Sequence, residues 1–229
     1  MSLFDRVQEV RENIQKALQA SNRKNRVTLV AATKTQDIKL VKECIENGIV
    51  NIGENRVQEA HEKLSQLQTN ASQCVKRMIG HLQSNKINKA LSIFDTIDSI
   101  DTVSLAKKIS AKIENKDQNI QTLLEINTSY EQNKFGFLPQ DNEGMLESIE
   151  LTNINVRGLM TLGPNTNNAT EIERSFSRLR KTKEKLNKQL PKELQLTELS
   201  MGMSGDYEIA IRQGSTMVRL GSALFGSRS

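Results

Sequence analysis

The chain has 229 residues, enough for one large domain with a sizeable core and close to the ~250 residues of a (β/α)8 barrel, although two smaller domains remain possible. Its 32 Lys and Arg nearly balance its 27 Asp and Glu, leaving a net charge of +5, and no dense basic cluster is interleaved with aromatic residues, which argues against a nucleic-acid partner. Its two cysteines lie outside any CxxC or CxxH pattern, which argues against a disulfide framework or a zinc site. The sequence shows no N-terminal signal of basic residues followed by an apolar segment, and no apolar run near ~18 residues, so we expect a cytoplasmic protein with no membrane partner.

Helices and strands are predicted to alternate along the chain. Residues 1–22 contain an amphipathic helix, because the apolar side chains from Phe4 to Leu18 recur at helical spacing, and we expect this helix to pack on the rest of the fold. Runs of apolar and β-branched residues predict eight strands, over 27–33, 49–55, 77–80, 94–97, 121–128, 153–162, 194–201 and 215–226. Helical patterns predict intervening helices over 37–47, 56–68, 84–90, 103–113, 141–150, 169–190 and 206–212.

This order predicts an α/β fold, a single (β/α)8 TIM barrel over residues 1–229 with an extra N-terminal helix. An open doubly wound sheet is the alternative. That fold normally has a Gly-rich turn after its first strand, whereas the turn here reads TKTQD. The alternation therefore favours the barrel.

The first strand runs directly into a lysine, in the sequence VTLVAATK that ends at Lys34. Burying an ammonium group costs several kcal/mol unless it is paired or loses its proton. A lysine that loses its proton is a nucleophilic amine, which can form a Schiff base with an aldehyde. The alternative is that Lys34 is simply the first solvated residue of a strand-to-helix loop.

In a barrel the active site lies at the carboxyl ends of the strands, so residues that follow several strands are predicted to meet there. One polar residue at a strand end is usually an ordinary loop residue, but a lysine, a histidine, two asparagines and an arginine at one mouth indicate a binding site. We assign no catalytic residue and no metal ligand. The candidate cofactor-binding residues are Lys34, Asn55, His81, Ser200, Met201, Ser204, Arg219, Gly221 and Ser222.

Two segments near the C-terminal end of the chain predict a phosphate site. SMGMSGD places small residues and hydroxyls before a predicted helix, whose free N–H groups favour an anion, and RLGSA offers Gly221 and Ser222 after the last strand. Together with the amine of Lys34 they describe a site for a phosphorylated aldehyde. Pyridoxal 5'-phosphate (PLP) is the candidate, with Arg219 facing its pyridine nitrogen. A barrel aldolase that uses a lysine Schiff base is the alternative.

The chain resembles the pyridoxal phosphate homeostasis protein family, of the YggS/PROSC type, which is related to the N-terminal barrel of alanine racemase. The matching stretches extend over nearly the whole chain and are LVAATKT, IGENRVQE, IGHLQSNK, RGLMTL, LSMGMSGD and GSTMVRLGSALFG. The loop NTSYEQNKFGF departs from the pattern that the family commonly shows, because it introduces Tyr130 and Phe135. This departure is expected to alter the rim of the pocket.

The resemblance implies a fold-type III barrel that holds PLP as a Schiff base on Lys34. It also implies that Arg219 lies at the pyridine nitrogen and Asn55 near the ring, with His81 in the same pocket. Phosphate contacts are implied for Ser200, Ser204, Gly221 and Ser222.

The resemblance further implies a role in PLP homeostasis, by storage, delivery or buffering of the cofactor, rather than an enzyme. Candidate partners are PLP-dependent apoenzymes. The chain ends at Ser229 shortly after the last strand, so we expect no racemase-type β-domain and a monomer. Neither of its two tyrosines, Tyr130 and Tyr207, is an evident catalytic base. The alternative is a single-domain PLP-dependent amino-acid racemase of low activity, with Lys34 as one base.

Overall fold

Eight short parallel strands form the centre of the structure. The computed structural model describes residues 1–67, 74–113 and 120–226. Each strand pairs with the next one along the chain, and the last pairs with the first, so the sheet closes into a barrel and the open-sheet alternative is wrong. The strands are β1 (Thr28–Ala32), β2 (Asn51–Glu54), β3 (Val75–Met78), β4 (Thr96–Ile100), β5 (Ile120–Glu125), β6 (Ile154–Met160), β7 (Glu198–Ser200) and β8 (Met217–Leu220).

Helices surround this barrel in the predicted alternation. The first begins at a capping box in which Ser2 and Asp5 bond each other's backbone N–H groups, and it packs against the last two helices. The helices are α1 (Leu3–Ala20), α2 (Ile38–Glu46), α3 (Val57–Leu64), α4 (Ile87–Leu91), α5 (Val103–Ile113), α6 (Asn142–Ile149), α7 (Ala169–Asn187), α8 (Tyr207–Arg212) and α9 (Ser222–Phe225). Residue 68, the predicted end of one helix, and residues 227–229 of the predicted domain lie outside the described residues.

The last predicted strand, over 215–226, is wrong in its second half. β8 ends at Leu220, Gly221 caps a new helix, and Ser222–Phe225 is α9 rather than strand. The apolar residues of this segment do not extend the sheet. The side chain of Leu224, on α9, is instead fully buried in the hydrophobic core. A short apolar run cannot by itself distinguish a buried strand from a buried helix turn.

The predicted strand over 94–97 is displaced, because the strand that forms is β4, Thr96–Ile100. The segment contains Asp98, which reads as a break in an apolar run. In the barrel interior Asp98 accepts from the guanidinium of Arg77 on β3 at 3.1 Å, and both side chains are buried. The ion pair lets an acidic residue lie inside the sheet, and only the pairing of β3 with β4 brings the two together.

Candidate functional site

A cavity of about 500 Å³ opens at the carboxyl ends of β1 and β8. This volume lies within the ~300–1,000 Å³ typical of small-molecule sites, and the position is the one that barrels use for their active sites. Five of the nine predicted residues line it. Its lining residues are Ala32, Lys34, Gln36, Met203, Ser204, Gly205, Arg219, Gly221, Ser222 and Gly226.

The alternation of side chains along β1 explains why Lys34 reaches this cavity. Val30 pairs laterally with Arg219 of β8, so the two side chains point to the same side of the sheet. Ala32 and Lys34 follow at two-residue steps and both line the cavity, whereas the intervening Thr33 is buried on the other side. The ladder continues past the strand itself, since the N–H of Thr33 donates to the carbonyl of Gly53 at 3.0 Å.

Ser204 joins the loops that follow β7 and β8. Its hydroxyl oxygen accepts from the N–H of Gly221 at 3.2 Å and from that of Ala223 at 3.0 Å. The loop before it turns at Gly202, whose φ of +103° is left-handed and where a Cβ would lie 2.7 Å from the Cβ of Ala210. Glycine is therefore required there. The result is a set of hydroxyl and backbone N–H groups at one wall of the cavity.

Arg219 forms part of the cavity lining although its side chain is almost fully buried, at 3% exposure. Its guanidinium donates to the hydroxyl of Ser200 and to the carbonyl oxygen of Thr161, both at 2.7 Å. Burial lowers the pKa of Arg219, and nearby carboxylates, Glu125 first among them, act in the opposite direction. The structure thus fixes a cation in the barrel interior with defined geometry.

The other four predicted residues are not among the described residues that line this cavity. The hydroxyl of Ser200 accepts from the guanidinium of Arg219, and Met201 is fully buried in the core. Asn55 follows β2 and lies against Gly80, where a Cβ would be 2.4 Å from the carbonyl oxygen of Asn55. His81 comes next in the chain, so these two predicted residues are close neighbours. The role of all four residues in binding stays a prediction.

His81 belongs to a second group of side chains at the mouth of the barrel. Its Nδ1 is 2.8 Å from the carboxylate of Asp101, and its ring stacks on Phe135 with centroids 3.8 Å apart. Phe135 is one of the two aromatic residues that the sequence introduces into the rim loop. The other, Tyr130, lies under the guanidinium of Arg178, 4.8 Å from the ring centroid.

A larger cavity, about 640 Å³, runs along α7 and has four basic side chains in its wall, Arg174, Arg178, Lys181 and Lys185. We place the functional site in the smaller cavity for two reasons. It lies at the strand ends, and it contains the residue types, an amine, hydroxyls and a buried guanidinium, that can bind a phosphorylated aldehyde. No group of three or more metal-ligating side chains occurs within the described ranges.

Sequence comparisons find relatives that match this chain over its full length. The family model described as "Alanine racemase, N-terminal domain" matches residues 6–229. The pyridoxal phosphate homeostasis protein of Haemophilus influenzae is 33% identical over 231 residues, covering 100% of this chain and 97% of that protein. The chain belongs to the pyridoxal phosphate homeostasis protein family.

Solved structures of similar proteins have the same fold as this chain. A crystal structure from Bifidobacterium adolescentis, of a protein described as unknown, is 39% identical with a TM-score of 0.92, covering 97% of this chain and 94% of the other. PipY of Synechococcus elongatus PCC7942, with PLP bound, is 31% identical with a TM-score of 0.86 and covers 98% of this chain and all of PipY. The predicted resemblance and the barrel fold are confirmed.

One buried carboxylic acid near the candidate site was not predicted from the sequence. Glu125, the last residue of β5, is 5% exposed, and burial raises its pKa to about 7. The charge of Asp101 contributes to this rise in pKa, whereas Arg219 acts in the opposite direction. The signal was present, since Glu125 is the one charged residue in the apolar run LLEI. The cavity residues Gln36 and Gly205 carried no such signal.

In the part of the chain that the structure describes, no helix has the length and apolar character needed to cross a bilayer.

Proposed function

We propose that this protein binds PLP in the cavity at β1 and β8, holds it through the amine of Lys34, and serves to store, deliver or buffer the cofactor. The observation that carries the proposal is the meeting of Lys34, Ser204 and the buried Arg219 in one cavity. Family membership supports it, since relatives are named for PLP homeostasis and PipY has a structure with PLP bound. PLP-dependent apoenzymes as recipients, a monomeric state and a cytoplasmic location remain predictions.

The cavity fits the two ends of this cofactor. When bound, PLP supplies an aldehyde that an amine can attack, an aromatic ring and a phosphate. Ser204 and Ser222 offer hydroxyls, and the N–H groups of Gly221 and Ala223 already converge on one oxygen, that of Ser204. These donors suit a phosphate.

Arg219 is suited to orient the ring end of the cofactor. Two of its N–H groups are held by Ser200 and Thr161, so the guanidinium has little freedom to move, and other N–H groups remain to donate. A guanidinium donates a hydrogen bond to a pyridine nitrogen without transferring a proton to it, because its pKa stays far above that of the ring. An unprotonated ring is a weaker electron sink, which favours holding the cofactor over transforming an amino acid with it.

A low-activity racemase is the second candidate function, because the family model is that of alanine racemase. Neither tyrosine supports it. Tyr130 lies under Arg178 and lines the cavity along α7. Tyr207 is buried at the start of α8, where burial raises its pKa, although a hydrogen bond with Asn13 acts in the opposite direction. Both are therefore poorly placed to move a proton in the cavity that contains Lys34.

The proposal is tested by adding PLP to the purified protein, recording the visible absorbance, reducing with borohydride and mapping the labelled peptide. We expect one dominant label, on Lys34, which is lost in Lys34→Ala. Lys39→Ala is the control, because Lys39 is an exposed lysine on α2. Equal labelling of many lysines, or an unchanged band in Lys34→Ala, would refute the proposal.

The same preparations distinguish a carrier from a racemase. Amino acids are incubated with PLP-loaded protein in deuterated water, and exchange at Cα is followed by NMR. We expect no exchange above that of free PLP. Exchange at enzymatic rates that is lost in Lys34→Ala would favour the racemase.

A further inference from the structure

Four polar residues form a cluster behind the wall of the barrel, on the side away from the cavity. We call Thr33, Glu54, Glu59 and Lys63 the Lys63 cluster. The ammonium group of Lys63 on α3 donates to the carboxylates of Glu54 at 2.9 Å and Glu59 at 3.1 Å. It also donates to the carbonyl oxygen of Thr33 at 2.8 Å. Lys63 is 8% exposed and Glu54 is fully buried. The cluster thus connects α3 to the residue that immediately precedes Lys34.

The cluster is not the arrangement that stability alone favours. Burying an ion pair costs desolvation that its attraction barely offsets, and apolar residues of similar volume often give a more stable protein. Here Oε1 of Glu54 accepts from Lys63 and from the hydroxyl of Thr33, but Oε2 is buried without a hydrogen-bond partner among the described residues. Burial raises the pKa of Glu54, against the opposing effects of Lys63 and Thr33. A costly buried charge that is only partly satisfied indicates a purpose other than packing.

The residue after Lys34 is held by the same cluster. Thr35 has a φ of +65°, a left-handed conformation that β-branched residues rarely adopt. Its N–H donates to Oε1 of Glu59, the oxygen that also accepts from Lys63. Strained backbone persists only where surrounding contacts determine it, and it is concentrated at ligand-binding sites. The cluster therefore fixes the backbone on both sides of Lys34.

We propose that Glu59 and Lys63, supported by Glu54, are positioning residues that hold the backbone of Lys34 so that its amine enters the cavity in one orientation. This inference rests on the proposed PLP-binding function. Thr33 is held through its carbonyl oxygen and Thr35 through its N–H, so the amine of Lys34 starts from a fixed Cα. A fixed starting point lowers the entropy that is lost when the amine and an aldehyde are brought together.

Glu59 gives the mildest test, because its side chain is 28% exposed and its replacement leaves the buried pair of Lys63 and Glu54 in place. Glu59→Ala removes the acceptor of the Thr35 N–H. Glu59→Gln keeps an oxygen acceptor and removes only the charge. Glu62→Ala is the control, since Glu62 lies on the same helix, is exposed, and accepts from Gln58 on its own helix.

The readout is the rate at which each protein captures added PLP, from the absorbance change and from the borohydride-trapped label on Lys34, with melting temperature measured separately. A lost hydrogen bond to a charged group corresponds to roughly a tenfold slower capture for Glu59→Ala. We expect Glu59→Gln to recover most of the rate and Glu62→Ala to stay within about twofold of wild type. A merely structural role would lower the melting temperature without changing the rate.

Two results would overturn the inference in distinguishable ways. If wild-type protein labels Lys34 but Glu59→Ala captures PLP at the wild-type rate, the positioning role is wrong and the proposed function stands. If wild-type protein does not label Lys34 at all, the proposed function is wrong and the inference fails with it.

Discussion

Replacing Glu125 with glutamine should make the protein more stable at high pH and leave its stability unchanged at low pH. The carboxyl lies at the end of β5 with 5% exposure, and burial raises its pKa from 4.5 to about 7. The charge of Asp101 contributes to this rise in pKa, and that of Arg219 opposes it. Glu125→Gln keeps the shape of the side chain and removes the ionisation.

The size and sign of the effect follow from this pKa. Well below pH 4.5 the carboxyl is protonated in both states, so its ionisation contributes nothing to the free energy of unfolding. Between pH 4.5 and about 7 the unfolded chain releases the proton while the folded protein retains it, so stability falls as pH rises. Above pH 7 the carboxyl is ionised in both states, and the loss in free energy of unfolding reaches its full value. This value is about 3 kcal/mol, because each unit of pKa difference between the two states corresponds to about 1.4 kcal/mol.

The assay is urea unfolding of wild type and Glu125→Gln without PLP, at pH 4.5, 6 and 8. The free energy of unfolding of the variant should exceed that of wild type by up to about 3 kcal/mol at pH 8 and by less at pH 6. At pH 4.5 the two should agree to within about 0.5 kcal/mol. Glu143→Gln, an exposed acid in the first turn of α6, is the control and should differ from wild type by a similar small amount at every pH. A difference for Glu125→Gln that does not change with pH, or a wild type that is the more stable at pH 8, would refute the reasoning.

Two further predictions concern packing. A Cβ at Gly158 of β6 would lie 2.1 Å from the carbonyl oxygen of Glu198 on β7. Gly158→Ala should therefore lower the free energy of unfolding by about 3 kcal/mol and lower the melting temperature. An unchanged melting temperature would contradict the strand contact. Burial raises the pKa of Cys44 to about 12 and that of Cys74 to about 11. A thiol reagent at pH 8 should therefore react with these cysteines only as fast as the protein unfolds locally. Immediate labelling of the native protein would contradict this prediction, because it would show that the thiols are accessible.

The sequence was a good guide to the residues whose neighbours are close in the chain or repeat with a regular period. Lys34 could be assigned to the barrel mouth because the apolar run before it predicts a strand, and strand ends meet at one face of a barrel. Ser204 was predicted from small residues before a helix, and Gly221 and Ser222 from their position after the last strand; all three line the same cavity. The assignment of Arg219 needed only its position in the last strand.

Residues that act through distant partners could not be predicted in this way. The full burial of Met201, the residue after β7, could not be predicted, because strand periodicity does not say where the sheet ends and the loop turns. Lys63 reads as one more polar residue on an amphipathic helix. Its place against Thr33 depends on how α3 packs on the barrel, a contact between residues 30 positions apart.

The sequence by itself determined the order of the elements up to β8, the barrel they form and the family, because hydrophobic periodicity and local motifs are properties of neighbouring residues. Only the tertiary structure decided which side chains share an environment. The high pKa of Glu125, the pairing of Arg77 with Asp98 and the left-handed backbone at Thr35 all arise from groups that separate strands and helices bring together. Desolvation and charge act through space, so their effect depends on distances that the order of residues does not contain.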